Sequence, residues 1–194
     1  MSIDNVIQTS AAESVNLALV ERAQAGDPRA FESLLESRFW RLNRLALSIT
    51  ANEADARDAL QEACLRAWQQ LPRLRDRSRF DVWLWRIVLN SCRNQLRGRR
   101  RVWVHEIAID GGPTGGGRTA SARGVGDALS ENDAIRRAFK RLDPDRRTIL
   151  ILHHVEERSV GDIAQLLGIP EGTAKWRLHA ARRALERALE VERR

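Results

Sequence analysis

The chain has 194 residues, 33 Lys+Arg against 26 Asp+Glu, and a formal net charge of +7. That length holds one ordinary domain or two small ones, and its 43% of apolar residues is enough for a core, which excludes a disordered tail. The basic excess points to a polyanionic partner.

Arginine carries almost all of the positive charge, Lys140 and Lys175 being the two lysines. The planar guanidinium fork suits phosphates and guanine edges, although a GC-rich genome produces the same bias. Two cysteines, Cys64 and Cys92, make neither a disulfide framework nor a zinc site. Both fall on apolar helix faces and read as buried thiols. No apolar run reaches the ~18 residues of a membrane span. Met1 to Ser10 lacks the basic start and apolar stretch of a signal peptide, so a cytoplasmic protein without membrane insertion is expected.

Periodicity is helical almost throughout, and no alternating strand pattern emerges. A short helix is predicted over 13–24. Ala25-Gly26-Asp27-Pro28 stops it and starts the next, with Asp27 as cap and Pro28 at the first helical position. That second helix carries Phe31, Leu34, Leu35, Leu42, Leu45, Ala46 and Ile49 on one face. A third, about 53–71, sets Ala56, Ala59, Leu60, Ala63, Cys64, Ala67 and Trp68 against Asp55, Asp58, Gln61, Glu62 and Arg66 on the other face. After a polar turn, Ser78 and Asp81 resemble a capping box at the head of a helix over about 79–100. Its core stripe reads Phe80, Leu84, Ile87, Val88, Ser91, Cys92 and Gln95. A second stripe reads Trp83, Arg86, Asn90, Arg93, Asn94 and Arg97. From Val82 to Trp103 there are six arginines and no acid.

Residues 104–129 are rich in glycine, with Pro113, Thr114, Thr119 and Ser121 among seven glycines, which reads as a flexible linker. The predicted architecture is therefore all-α, with two small helical domains, 13–103 and 130–194, joined by that linker. In the second domain, Ser130 and Asp133 open a helix bearing Ile135, Ala138, Phe139 and Leu142. Asp143-Pro144 restarts the chain as a helix over about 144–156. Ser159 and Asp162 open a third that ends at Gly168, and Gly168-Ile169-Pro170 leads into a last helix over about 171–190.

Asp162 to Lys175 thus reads helix, tight glycine turn, helix, the spacing of a helix-turn-helix. Small Ala164 lets the two helices approach, and Gly168 permits the turn. The second of these helices carries Lys175, Trp176, Arg177, His179, Arg182, Arg183 and Arg187. Early residues of such a helix reach base edges in the major groove, and later ones reach phosphates. The bland alternative is a helical hairpin with a solvated basic face. In the first domain, Trp83 and Trp85 interleave with Asn90 and arginines. Aromatic platforms beside a basic groove suit unstacked single-stranded bases, and an Asn amide can read a Watson–Crick edge once a base leaves the stack. The alternative is that both tryptophans belong to the core.

The wording and order of three segments resemble the extracytoplasmic-function sigma factors of bacterial RNA polymerase. Asp55 to Trp68 is similar to that family's polymerase-clamp-binding helix. Phe80 to Asn90 is similar to its promoter-melting helix, with Phe80, Trp83-Leu84 and Asn90 in register. Gly172 to Arg182 is similar to its upstream-element recognition helix. The likeness covers roughly 13–101 and 130–190. It implies a first domain (13–103) that binds core polymerase and melts the minus-ten element, and a second (130–194) that reads the minus-35 element. By position, Asp58, Gln61, Glu62 and Leu65 are expected to face the clamp. Trp83, Arg86, Asn90, Arg93 and Arg97 are expected to handle the melted minus-ten strand. Lys175, Trp176, Arg177, His179, Arg182 and Arg183 are expected to read the minus-35 duplex. Implied partners are core polymerase, promoter DNA both duplex and single-stranded, and an anti-sigma protein. No cofactor and no metal is implied. The sequence departs from the family pattern at Asn94, where Asp is frequent, at Trp176, where a small Ser is common, and at Ala180, where Arg is common. Those changes bear on the promoter sequence read.

Two rival classes are weaker on the same residues. An enzyme needs a site, and none assembles: His153-His154-Val155-Glu156-Glu157 is not the His-Glu-x-x-His zinc pattern, and no nucleophile elbow is present. An ordinary helix-turn-helix regulator explains the second domain but gives no reason for an acidic helix followed by an aromatic and arginine-rich one.

Overall fold

The computed structural model describes residues 15–110 and 130–192, with side chains over 15–99 and 133–192. The described residues are helical, without a strand. The first domain holds α1 (15–24), α2 (Pro28–Thr50), α3 (Glu53–Gln70) and α4 (Phe80–Asp110). The second holds α5 (Ser130–Arg141), α6 (Pro144–His154), α7 (Val160–Leu167) and α8 (Glu171–Glu192).

Local chemistry sets most of these boundaries. Gly26, at φ 93°, ends α1 in a left-handed turn. The Asp27 side chain then accepts from the backbone N–H of Arg29 at 3.0 Å and of Ala30 at 3.2 Å, with Pro28 filling the position whose N–H has no partner. Asn52 caps α3 and Asp143 caps α6 in the same way. Ser159 and Asp162 complete a reciprocal capping box at α7, which closes on Gly168 in the left-handed conformation.

Two expectations fail locally. Ser78 does not cap α4. It lies in a 3₁₀ turn, Arg77–Arg79, where its hydroxyl donates to Asp76, while Asp81 pairs instead with Arg38 of α2. The α4 helix also runs on to Asp110, past the expected end near 100 and seven residues into the segment expected as linker. From Arg99 to Asp110 the sequence offers no Pro or Gly to stop it, and Gly111-Gly112 is the first breaker. The rest of that linker, with Arg118 and Arg123, lies outside the described residues.

The first-domain core is built around small residues on α3. Ala56, Ala59, Ala63 and Ala67 recur at helical spacing and are all buried, which lets α3 lie close against α4. Leu34, Leu45 and Ile49 of α2 and Leu84, Val88 and Cys92 of α4 fill the centre. Burial pushes the Cys92 thiol up to about 12 and raises Cys64 as well, so neither is a thiolate near neutral pH. In the second domain Leu142, Ile149, Leu152, Ile163, Leu166 and Leu178 form the core. The two domains also touch: α6 lies along α2, and α7 faces α4.

Candidate nucleic-acid and protein interfaces

On a helix each residue turns about 100°. Trp83, Arg86, Asn90, Arg93 and Arg97 therefore fall in one arc of α4 roughly 80° wide, directly beside the buried Leu84-Ile87-Ser91 stripe. Asn90 and Arg97 are exposed and Trp83 is half-buried, packed on Phe80 with ring centroids 5.7 Å apart. Arg86 is committed elsewhere: its Nε donates at 3.1 Å to the backbone carbonyl of Gln165 on α7, and its Nη2 donates to the same oxygen. Arg93 Nη2 lies 3.3 Å from the Asp145 carboxylate of α6.

Trp85 does not join this stripe. It is 2% exposed, and the guanidinium groups of Arg158 and Arg41 stand over its ring at 4.8 and 5.5 Å. The reading of Trp85 as a base-stacking platform is corrected: about 140° around the helix separates it from Asn90, and Arg158 of the second domain covers it.

On α8, Lys175, Trp176, His179, Arg182 and Arg183 share one face about 120° wide and are all exposed, with Trp176 at 69%. Arg177 is set apart. It lies about 100° beyond Trp176, away from Lys175, and is half-buried on the flank that leads to the core stripe of Ala174, Leu178 and Ala181. The expected grouping of Arg177 with the other five is not the geometry found. Glu171 pairs with Lys175 at 3.0 Å. Arg182 Nε donates to His154 Nε2 at 3.2 Å, and burial, with Arg182 and His153 nearby, lowers the His154 pKa.

On α3, Asp58, Gln61, Glu62 and Leu65 are exposed along one side, Leu65 at 53% despite its apolar chain. Asp55, which the sequence places with them, is buried and bonded to Arg99 of α4. It closes the α3–α4 joint and leaves the polar face to the other four.

Sequence reasoning missed a set of charged residues at the domain junction. The Glu156 side chain, in the loop after α6, is fully buried. Arg41 Nε donates to it at 2.6 Å, and Arg44 Nη2 donates to its other oxygen. Burial alone pushes the Glu156 carboxyl up, and the bonds from Arg44 and Arg41 outweigh it, so its pKa lies below the usual carboxylate value. Arg147 is also buried and donates at 2.7 Å to the Ile49 carbonyl near the C-terminal end of α2, where backbone carbonyls attract a cation. No spacing in the sequence pairs residues that lie 98 to 115 positions apart.

Among the described residues there is no cluster of His, Cys, Asp and Glu fit to hold a metal and no helix long and apolar enough to cross a membrane. Comparison with known proteins matches residues 39–102 to Sigma-70 region 2 and residues 132–185 to Sigma-70 region 4. The chain is 33% identical to the RNA polymerase sigma-H factor of Pseudomonas aeruginosa, covering 89% of this chain and 92% of that one. It is 34% identical to the ECF RNA polymerase sigma factor SigM of Mycobacterium tuberculosis, covering 91% and 86%. It is 32% identical to the ECF sigma-E factor of Escherichia coli K12, covering 87% and 91%. Among solved structures, it superposes on the sigma factor RpoE of Bartonella quintana in complex with the anti-sigma factor NepR, with a TM-score of 0.62, 27% identity, and 83% and 97% coverage. CnrH in complex with the cytosolic domain of CnrY shares the fold, with a TM-score of 0.63, 24% identity, and 91% and 98% coverage. The chain belongs to the extracytoplasmic-function group of the sigma-70 family, the RNA polymerase sigma factors.

Proposed function

We propose that this sigma factor divides its work among three faces, each on its own helix. Asp58, Gln61, Glu62 and Leu65 of α3 bind the polymerase clamp. An acidic face with one exposed leucine suits a protein partner and repels DNA. Trp83, Asn90, Arg93 and Arg97 of α4, with Arg86 once it is released from Gln165, hold the opened minus-ten strand. The half-buried Trp83 offers a stacking surface, the exposed Asn90 amide a base edge, and the arginines phosphate contacts. Lys175, Trp176, His179, Arg182 and Arg183 of α8 read the minus-35 duplex in the major groove, and Arg177 supports that helix from its flank.

The observation that carries this reading is the coexistence, in one chain, of two separate basic faces on α4 and α8 and an acidic face on α3. Each DNA contact is weak alone, and tethering both to polymerase multiplies their affinity. Opening the duplex costs a few kcal/mol per base taken from the stack, offset by stacking and pocket contacts. No reaction is catalysed by the factor itself. It works where polymerase and chromosome are, in the cytoplasm, and an anti-sigma protein is its expected regulatory partner.

The test is transcription in vitro with purified bacterial core polymerase and a library of promoter fragments. Defined start sites are expected only when the protein is added, and the enriched fragments give its promoter sequence. Tight duplex binding by the protein alone, with no initiation, overturns the reading in favour of an ordinary helix-turn-helix regulator.

A further inference from the structure

Cations on and around α8 are held in two different ways. Carboxylates hold three of them: Glu171 takes Lys175 at 3.0 Å, and Glu192 takes Arg137 and Arg141 of α5 at 2.6 and 2.7 Å. Arg182 is held by a ring instead. Its Nε donates at 3.2 Å to Nε2 of His154, the last residue of α6. The difference matters for a DNA contact. A carboxylate fixes a guanidinium and also cancels its charge, and it repels phosphate. A neutral imidazole fixes the guanidinium and leaves its charge whole.

The direction of that bond fixes the state of the ring. Guanidinium N–H groups only donate, so Nε2 must offer its lone pair, and the ring is neutral with its proton on Nδ1. Burial, with Arg182 and His153 nearby, lowers the His154 pKa from 6.5, which favours that neutral form. The ring is itself positioned. His153 Nδ1 lies 3.1 Å from the Arg158 carbonyl, an acceptor, so this nitrogen donates and ties His153 to the loop before α7. The His153 ring stands edge-on to His154, with centroids 4.8 Å apart. Support thus runs from the loop through His153 and His154 to Arg182.

Arg182 lies within about 20° of Lys175 around α8 and about 10 Å further along its axis. With Lys175 at the N-terminal end that reaches base edges, Arg182 falls beside the sugar–phosphate wall of the major groove. Its Nε–H is occupied, and the N–H groups of Nη1 and Nη2 remain to clasp a phosphate. We propose that His154 is a positioning residue for duplex binding: its neutral ring holds Arg182 by Nε, fully charged, with the two Nη groups presented to a backbone phosphate. The inference rests on the assignment of α8 as the duplex-reading helix. The physical gain is preorganisation, because a long side chain that is already held loses less freedom when DNA arrives. Both residues are exposed, so the bond itself adds little to the stability of the fold.

The experiment compares wild type, Arg182→Ala, His154→Ala, His154→Gln and the double variant His154→Ala with Arg182→Ala, each as the full chain bound to core polymerase. Fluorescence anisotropy measures binding of a labelled duplex promoter fragment over a range of salt. Arg182→Ala is expected to lower the slope of log affinity against log salt by about 1, the mark of one phosphate contact. His154→Ala keeps the charge, so the slope is expected to hold while affinity falls about three- to tenfold at every salt concentration. His154→Gln, whose side-chain carbonyl also accepts, is expected to return affinity to within about twofold of wild type. The double variant is expected to bind as Arg182→Ala does, because His154 acts only through Arg182. Melting temperatures should stay within about 2 °C, so that lost affinity is not lost fold. A further loss in the double variant, or a His154→Gln no better than His154→Ala, overturns the positioning role and leaves the reading of α8 standing. An Arg182→Ala with unchanged slope takes Arg182 out of the DNA contact and overturns both. Nitrogen NMR of the free full chain tests the held pair without DNA: a bare Nε2 on His154 is expected, and a proton there overturns the proposal. Should the protein bind duplex without polymerase, the proposed function falls, and the same comparison on that duplex still decides the role of His154.

Discussion

The two helices proposed to face DNA are built by different physical routes. The proposed reading face of α8 is largely exposed: α7 and a glycine turn place it, Lys175, Trp176, His179, Arg182 and Arg183 are all exposed, and only Arg182 reaches back, to His154 of α6. The stripe on α4 lies on a helix whose other sides are buried, beside tryptophans of opposite fate, and partly beneath the second domain. A local face can be built for duplex DNA by turn chemistry alone. A face for an opened strand needs a rigid, buried helix behind it, and the same packing gives the rest of the chain a surface to cover.

The largest effect that separates the two helices is expected from tryptophan. Trp85→Ala removes a buried ring held between the domains and should cost about 3–5 kcal/mol of stability, seen as a fall in denaturation midpoint. Trp176→Ala, on an exposed residue, should change stability by no more than about 0.5 kcal/mol while altering preference among minus-35 sequences. A large stability loss from Trp176→Ala would mean that α8 is packed against something and not open.

A smaller effect divides the chemistry of the two faces. Asn90→Ala should leave duplex binding of the polymerase complex nearly intact but slow strand opening, read by permanganate reactivity of unpaired thymines. Lys175→Ala should do the reverse, losing about 1–3 kcal/mol of duplex discrimination if it contacts a base. Equal losses in both assays from both variants would erase the distinction between α4 and α8.

The helices, the helix-turn-helix and the exposure of most site residues were legible because they follow from local rules. Caps such as Asp27, Asp143 and Ser159 bond within three residues, and an amphipathic stripe shows its period directly. What stayed hidden depends on partners distant in sequence. Asp55 looks like any acid on a polar face until Arg99 buries it, and Trp85 looks like a twin of Trp83 until Arg158 and Arg41 close over it. Glu156, in a His-His-Val-Glu-Glu run, carries no sequence signal beyond a zinc pattern that does not match. Arg177 differs for a simpler reason: the ~100° step after Trp176 turns it away from the face that the other basic residues of α8 share.

Acid offers a further way to separate the open face from the covered one. Glu156 has its pKa held below the ordinary 4.5, so its contribution to the junction between the domains is complete above that value and is lost as pH falls through the lower folded value. Arg41 and Arg44 face it, and Asp145 beside Arg93 adds a second carboxylate to the junction. The radius of gyration is therefore expected to rise as pH drops below about 4.5, and Glu156→Gln should be expanded at neutral pH with little further change. A wild type whose compactness ignores acid down to global unfolding would show that the carboxylate does not hold the halves together.

The smallest effect concerns the open face itself. Glu171 sits in the first turn of α8 and pairs with Lys175 at 3.0 Å. Both side chains are more than half exposed, so Glu171→Gln should cost only about 0.5 kcal/mol of stability from the lost pair and the lost interaction with the helix N-terminus. Its effect on DNA should have the opposite sign. Removing a carboxylate from beside the reading face frees Lys175 for phosphate or base contact, so the polymerase complex should bind duplex promoters somewhat more tightly at low salt and lose that gain as salt rises. An unchanged salt dependence would place Lys175 outside the DNA contact and move the reading face toward His179 and Arg183.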